Sequence, residues 1–288
     1  MSVHLEQEVA DFSERRLRLA TAITDYADWL DRQHGIDAER TLRLADTASS
    51  LRQDKLVVAF VAEFSRGKSE LINAIFFASF GQRVLPSSAG RTTMCPTELM
   101  YEKGSAPCIR LLPIETRASG TSVSELRGFA EEWTSVPLDI ESPDKVAQAL
   151  QHIAEIKKVS KATAQTMGLH VAEEETQNGM HLADDGMVEV PKWRHAIINF
   201  PHPLLEQGLV ILDTPGLNAL GTEPELTLSL LPSAHAVLFI LAADTGVTKS
   251  DIQVWHDFIS NPKHGSNKGR IAVLNKIDGL WDELKTED

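Results

Sequence analysis

The 288-residue chain has a formal net charge of −13 and 42% hydrophobic residues, a composition typical of a globular protein and not of a disordered or fibrous one. The negative charge repels phosphate backbones and no basic patch offsets it, which argues against a nucleic-acid partner. No apolar run approaches the roughly 20 residues of a membrane-spanning helix, and Cys95 and Cys108 lack the spacing of a zinc site, so a cytoplasmic location is expected.

The N-terminal segment, residues 1–54, carries helical patterns. Apolar residues recur at steps of three and four from Leu5 to Leu30, which predicts one long amphipathic helix from about Val3 to Gln33. A second helical pattern runs from Ile36 to Arg52. The apolar stripe has two interpretations: it covers the core of this chain, or it binds helices that the 288 residues do not contain.

After Lys55, short apolar runs alternate with helical stretches. Near-continuous Val, Ile and Leu runs indicate strands buried on both faces, so residues 55–288 are predicted to form an α/β domain with a mainly parallel sheet flanked by helices. The predicted strands are Leu56–Val61, Ala196–Phe200, Gly208–Leu212, Ala236–Ala242 and Arg270–Leu274, and the first helix is Ser69–Phe80. Two further runs, Pro96–Tyr101 and Cys108–Leu112, predict an added hairpin.

Residues 113–191 interrupt this alternation and are predicted to form a helical insert. Ser142 and Pro143 suit the cap and first position of a helix that would extend to about Met167. A shorter helix is expected over Val123–Trp133, and the acidic stretch Glu173–Glu189 is predicted to be a loop.

The stretch Ala62–Ser69 lies between a predicted strand and a predicted helix, and it ends in Gly67-Lys68-Ser69. In a phosphate-binding loop of this kind, backbone N–H groups bind phosphate, Lys68 reaches the outer phosphates and Ser69 binds Mg²⁺. Ala62 replaces the usual entry glycine, where a small residue still allows the turn. The residues expected to contact the nucleotide are Glu63, Phe64, Ser65, Arg66, Gly67, Lys68, Ser69 and Glu70.

Two later motifs follow predicted strands at their carboxyl ends, where ligands gather in open α/β sheets. In Asp213-Thr214-Pro215-Gly216, the carboxylate of Asp213 is placed to bind Mg²⁺, and the N–H of Gly216 is placed to reach a terminal phosphate. In Asn275-Lys276-Ile277-Asp278, the Asp278 carboxylate accepts hydrogen bonds from guanine donors that adenine lacks. The predicted ligands are therefore GTP and GDP, with Asn275, Lys276 and Asp278 on the base side.

These motifs resemble those of the dynamin-like GTPases, and the sequence is similar to a bacterial member of that family. The resemblance is carried by Glu63–Ile75, Val84–Pro86, Arg91–Thr97 and Asp213–Leu217, and it covers about Lys55 to Leu284 without the insert. It implies that the N-terminal helices are bundle elements that flank a GTPase core.

The resemblance also implies roles for individual residues. Thr93, with Thr92 as the alternative, would bind Mg²⁺ and hold the attacking water. Ser65 and a monovalent cation, K⁺ or Na⁺, would neutralise charge when two GTPase domains meet as a homodimer across the nucleotide face. The expected catalytic residues are thus Ser65, Lys68, Thr93 and Gly216, and the expected metal ligands are Ser69, Thr93 and Asp213.

Three features depart from this pattern or leave alternatives. Leu217 stands where many small GTPases carry a water-orienting glutamine, so hydrolysis would need another group. Arg66 is a competing source of positive charge for neutralising the phosphates, although a side chain that faces solvent is the favoured expectation. The chain ends ten positions after Asp278, so the GTPase domain is expected to be C-terminally incomplete, with membrane-binding parts outside this chain.

The sequence thus predicts the GTP-hydrolysing domain of a bacterial dynamin-like protein that is activated by self-association. In the full-length protein it would serve membrane remodelling, peripheral to the inner face of a membrane. One alternative is an RNA-associated or ribosome-assembly GTPase, which should carry a basic extension. The other is a nucleotide-binding scaffold that does not hydrolyse, which Leu217 and the early end of the chain favour.

Overall fold

The computed structural model describes residues 2–32, 44–45, 47–48, 51–52, 55–63, 65–86, 95–169, 187–214, 231, 234–260 and 269–280. The chain forms two compact units. The smaller comprises residues 1–56 and 201–209, and the larger comprises residues 57–200 and 210–288. The domain boundary predicted at residue 54 stays a prediction, because packing into units is not a test of independent folding.

The strands are β1 Leu56–Ala62, β2 Thr97–Met100, β3 Cys108–Pro113, β4 Thr134–Pro137, β5 Ile156–Ser160, β6 Met187–Pro191, β7 Trp193–Asn199, β8 Leu209–Asp213, β9 Ala236–Ala242 and β10 Gly269–Asn275. The α-helices are α1 Ser2–Arg32, α2 Lys68–Phe76, α3 Val123–Leu126, α4 Pro143–Gln151, α5 Lys161–Thr166, α6 Pro203–Glu206 and α7 Lys249–Val254. A π-helical turn, Trp255–Ile259, continues α7. The predicted α/β fold is confirmed, and so are its five main strands, although β7 begins at Trp193 instead of Ala196.

The described residues place eight strands in one mixed sheet of order β10-β9-β1-β8-β2-β7-β3-β4. Strand β9 pairs in parallel with both β1 and β10. In that register Ala62 lies opposite Ile240, and Asn275 lies opposite Ala242. The carboxyl ends of these three strands therefore meet at one edge of the sheet, where the sequence motifs begin.

The hairpin predicted over Pro96–Tyr101 and Cys108–Leu112 is wrong. Both runs are strands, but β7 lies between them, parallel to β2 and antiparallel to β3. Strand β2 also pairs in antiparallel with β8, with Thr97 opposite Asp213. Although only seven residues separate the two strands in sequence, each is paired on both edges, β2 with β8 and β7 and β3 with β7 and β4, whereas an isolated two-stranded hairpin is only marginally stable.

The long helix predicted from Pro143 to Met167 is also wrong. The helix α4 ends at Gln151, a 3₁₀ turn covers His152–Ala154, and the chain then forms β5. Strand β5 pairs in antiparallel with β6, a strand that the sequence analysis assigned in part to a loop. The expected helix over Val123–Trp133 is divided into α3 and the 3₁₀ turn Ala130–Glu132.

The first helix of the chain is confirmed, since α1 spans Ser2–Arg32. Within the smaller unit it contacts the short helix α6. Phe12, Leu19 and Tyr26 of its apolar stripe are about half exposed (46%, 53% and 52%). Ile23 and Leu30 of the same stripe are partly buried, so both interpretations of the stripe stay predictions. The pattern predicted over Ile36–Arg52 lies mostly outside the described residues.

An apolar core holds α7 against the parallel part of the sheet. Its buried members from the strands are Ala59, Val61, Leu212, Val237 and Phe239, and Val254 and Ile259 come from α7 and the turn that follows. Burial of each large aliphatic side chain contributes about 1.5–3 kcal/mol. This core fixes the N-terminus of α7 beside the loop that follows β1. No helix among the described residues is both long enough and apolar enough to cross a bilayer.

Candidate functional site

The loop between β1 and α2, residues 63–67, is here called the phosphate loop. Gly67 has φ +82° and precedes the first helical residue, Lys68. A Cβ atom on Gly67 would lie 2.4 Å from the side-chain nitrogen of Asn275, so both the backbone conformation and the close approach require glycine. Ser65 is exposed and also has a positive φ, +63°, which is uncommon and costly for a residue with a side chain.

The base-side motif packs directly on the phosphate loop. Asn275 donates from Nδ2 to the backbone carbonyl of Arg66 at 2.9 Å. Lys276, with φ +57°, pairs through Nζ with the carboxylate of Asp244 at 3.2 Å. Asp278 lies exposed on the 3₁₀ turn Ile277–Leu280. The structure thus brings together two motifs that lie about 200 residues apart in the sequence.

Two of the three residues predicted to bind Mg²⁺, Ser69 and Asp213, lie together, and the third, Thr93, lies outside the described residues. Ser69, Thr97 and Asp213 line one cleft, and the Lys68 ammonium lies 2.6 Å from an oxygen of Asp213. Both side chains of that ion pair are 8% exposed. Hydroxyl and carboxylate oxygens are the ligands that Mg²⁺ prefers, so these residues fit the metal, and Lys68 has the charge to bind phosphate.

Arg66 is buried, so the expectation of a solvent-facing arginine is wrong. Its guanidinium donates from one nitrogen to Glu63 at 2.7 Å and to Asp251 at 2.9 Å, with Thr248 Oγ1 at 3.4 Å. Arg66 is 4% exposed, Glu63 8% and Asp251 0%. We call Glu63, Arg66, Thr248 and Asp251 the Arg66 cluster. Glu63 and Arg66 were expected to contact the nucleotide, but their side chains bind each other beneath the loop.

The remaining predicted residues are placed as follows. Glu70 forms a surface ion pair with Arg83 at 2.9 Å. Phe64, Thr92, Thr93, Gly216 and Leu217 lie outside the described residues.

Asn73 on α2 was not predicted and fixes the segment that leads towards Thr93. Its Oδ1 accepts from the backbone N–H groups of Val84 and Leu85 at 3.1 and 2.9 Å, and its Nδ2 donates to the carbonyl of Leu85 at 3.2 Å. Leu85 in turn lines the cleft with Ser69 and Asp213. A polar residue on the buried face of a predicted helix was the available signal for Asn73.

The insert contributes to the same cleft. Ile153 and Ala154, in the 3₁₀ turn after α4, line it opposite residues of the phosphate-binding motif. The indole N–H of Trp193 donates to the carbonyl of His152 at 2.7 Å and so holds this turn. The sequence offered no signal for this wall, because it depends on the turn that interrupts the expected helix.

A second ionic group, the Glu98 cluster, consists of the buried Glu98 on β2, the buried His195 on β7 and the partly exposed Arg127 after α3. The ring nitrogen Nε2 of His195 lies 3.0 Å from the Glu98 carboxylate, and Arg127 also pairs with that carboxylate. Burial alone would raise the pKa of Glu98, but the hydrogen bonds and charges of His195 and Arg127 lower it to about 2. None of these three residues was predicted from the sequence to be functional.

The chain is similar to known proteins. A model of the dynamin family matches residues 58–277. A bacterial dynamin-like protein of Nostoc punctiforme is 23% identical over 253 residues, which are 87% of this chain and 28% of that protein. The isoniazid-induced protein IniA of Mycobacterium tuberculosis is 43% identical over 60 residues, 20% of this chain and 9% of that protein.

Two solved structures, both described as an oligomerised bacterial dynamin pair, also align with the chain. Their TM-scores are 0.44 and 0.41, their identities are 18% and 15%, and they cover 92% and 84% of this chain. The chain covers 36% and 30% of those structures.

Proposed function

Because the chain belongs to the dynamin family, we propose that its larger unit binds GTP and GDP with Mg²⁺ and hydrolyses GTP to GDP and phosphate. The observation that carries the proposal is the junction at the sheet edge. There, Asn275 of the base-side motif binds the phosphate loop, and Lys68, Ser69 and Asp213 lie together at the adjoining cleft.

Each residue has a proposed role that follows from its chemistry. Lys68 binds the outer phosphates, Ser69 and Asp213 hold Mg²⁺, and Thr93 completes the metal site and positions the attacking water. Mg²⁺ would neutralise the charge that develops on the phosphates. Asp278 accepts hydrogen bonds from guanine and so selects GTP over ATP.

We further propose that hydrolysis is completed by a second copy of the domain. Leu217 cannot orient water as glutamine does, so Ser65, a monovalent cation and the partner's nucleotide face would supply charge and water placement. The exposed position of Ser65 on the phosphate loop supports this role. The chain spans 28% of the length of the Nostoc relative, and a role in membrane remodelling is a proposal for the complete protein.

The alternative that Leu217 favours is a nucleotide-binding scaffold without hydrolysis. An RNA-associated GTPase is disfavoured by the family assignment and by the net charge of −13. Phosphate release separates the proposed GTPase from the scaffold, because a scaffold would bind GTP at the same site and release no phosphate.

The test is phosphate release per molecule at increasing protein concentration, in K⁺ and then in a larger organic cation. We expect slow turnover that rises with protein concentration and falls in the organic cation. Lys68→Ala provides the background rate. Binding of GTP without any release above that background would favour the scaffold. Fast turnover that is independent of concentration would show that one copy contains the whole catalytic site.

A further inference from the structure

The Arg66 cluster encloses a strained turn. Glu63 and Arg66 lie on either side of Ser65 in the sequence, and their side chains form a buried ion pair at 2.7 Å. Ser65 between them has φ +63°, which costs about 1–2 kcal/mol for a residue with a side chain. Such conformations persist only where surrounding contacts hold them in place. The ion pair joins residues on both sides of Ser65 and is therefore positioned to hold its strained conformation.

Arg66 is fixed from two further directions. Its side chain binds Asp251, whose Oδ2 also accepts from the backbone N–H and the hydroxyl of Thr248 at 2.9 and 2.8 Å and so caps α7. Its backbone carbonyl accepts from Asn275. Arg66 therefore connects the phosphate loop to α7 with its side chain and to the base-side motif with its main chain.

The cluster is poorly suited to a purely stabilising role. Buried ion pairs often contribute little net stability, because removing charges from water costs about as much as their attraction returns. Two carboxylates face one guanidinium. Within the described residues, Glu63 Oε1, Arg66 Nε and Asp251 Oδ1 are buried without a hydrogen-bond partner. Buried polar atoms without hydrogen bonds cost stability, so we expect them where the geometry of a site matters more than its stability.

We propose that Arg66 is a positioning residue which, by pairing with Glu63 and Asp251, holds the Ser65 turn in its strained conformation and so preforms the phosphate loop for nucleotide. Arg66 acts through the backbone of the turn and does not touch the phosphates. The inference rests on the proposed nucleotide binding. A preformed loop raises affinity because the cost of ordering it is met during folding and not during binding.

The test is a double-mutant cycle on equilibrium binding of Mg²⁺–GDP by the full 288-residue chain. If Arg66 serves to hold the turn, glycine at position 65 should remove the need for it, since glycine adopts a positive φ at little cost. We expect Arg66→Gln to raise the dissociation constant about tenfold or more. In the Ser65→Gly background, the same substitution should raise it less than about threefold.

The matched control is Arg83→Gln, which removes an arginine from an exposed ion pair and should leave the dissociation constant unchanged. Thermal unfolding of each variant without nucleotide separates loop geometry from overall stability. If Arg66→Gln does not fold, Arg66→Lys takes its place in the cycle, because the ammonium keeps the charge but not the planar geometry of the guanidinium.

The outcomes are distinct. An equal loss in both backgrounds, or no loss with Arg66→Gln, would overturn the positioning role while leaving nucleotide binding intact. Failure of the unsubstituted, folded chain to bind GDP or GTP would overturn the proposed function itself. The inference would be supported if the double variant recovers binding. The unfolding temperatures of the variants should then not rank in the same order as their dissociation constants.

Discussion

Among the described residues of the larger unit, the Arg66 cluster and the Glu98 cluster are both ionic but differ in what they join. The Arg66 cluster links a loop at the carboxyl ends of the strands to the N-terminus of α7, and it encloses a residue with a positive φ. The Glu98 cluster links side chains within β2 and β7, the middle of the sheet, to Arg127 of the insert. We therefore assign the Arg66 cluster the proposed role of fixing loop geometry, and we expect the Glu98 cluster to stabilise the packing of the sheet.

From this difference we expect that substitutions in the motifs at the carboxyl ends of the strands alter nucleotide binding. Substitutions in the Glu98 cluster should instead alter the free energy of unfolding. The largest effect is expected at Asp278, which is exposed and belongs to neither cluster. Asp278→Asn should change the preference between GTP and xanthosine triphosphate by a factor on the order of 10,000, because the amide presents a donor where the carboxylate accepts.

Competition binding with GTP, xanthosine triphosphate and ATP measures this preference, and thermal unfolding should not change. Equal binding of ATP and GTP by the unsubstituted protein would show that guanine is not the recognised base.

The next effect in size is expected at Lys68. Lys68→Ala should weaken GDP binding on the order of 1,000-fold, because it removes charge-assisted hydrogen bonds to phosphate worth about 1.5–3 kcal/mol each. The variant also removes the buried ion pair at 2.6 Å between Lys68 and Asp213. The double variant Lys68→Ala, Asp213→Asn should therefore recover stability but not binding. Recovery of binding would mean that Lys68 is structural.

The Glu98 cluster should show the opposite behaviour. Glu98→Gln should lower the free energy of unfolding by about 3 kcal/mol, the cost of removing one partner of a buried ion pair, with GDP affinity unchanged in the folded protein. The matched control is Glu102→Gln, in a partly exposed pair with Arg110, where we expect less than about 1 kcal/mol.

The pH dependence of the free energy of unfolding provides a second test of the same cluster. The pKa of Glu98 is about 2 in the folded chain, below its ordinary value of 4.5. Its stabilisation is therefore fully present above about pH 4.5 and is lost as the pH falls towards 2. Denaturant unfolding between pH 5 and pH 2 should show the difference between the unsubstituted chain and Glu98→Gln shrinking. A difference that stays constant over that range would contradict the assignment.

The smallest effect is expected at Thr93, which precedes β2 in the sequence. Thr93→Ala should slow GTP hydrolysis about tenfold while changing GTP affinity less, because Thr93 is proposed to act on water and Mg²⁺ near the terminal phosphate. Single-turnover hydrolysis and binding separate the two quantities. Thr92→Ala is the control, and a loss of hydrolysis there instead would move the catalytic position by one residue.

Local patterns predicted the parallel part of the sheet and the position of its motifs. Strands such as Leu56–Ala62 are nearly continuous apolar runs, and the motifs follow their carboxyl ends. The placement of β7 between β2 and β3 was not predictable, because it depends on pairings between residues about 90 apart in the sequence.

Two other errors have equally physical origins. The stretch Ile156–Ser160 has no strong local preference and becomes a strand because β6 pairs with it. Arg66 was expected in solvent because its partner Asp251 lies 185 residues away in the sequence. Predictions thus succeeded where the signal lies within one element and failed where distant elements decide.

A single oxygen of Asp251 both caps α7 and binds Arg66, and this sharing has an evolutionary consequence. A substitution at position 251 disturbs a helix terminus and a phosphate loop at once, and a neutral residue at position 66 leaves two buried carboxylates uncompensated. Single changes among Glu63, Arg66, Thr248 and Asp251 should therefore be selected against. Across diverging relatives, these four positions are expected to be replaced as a set.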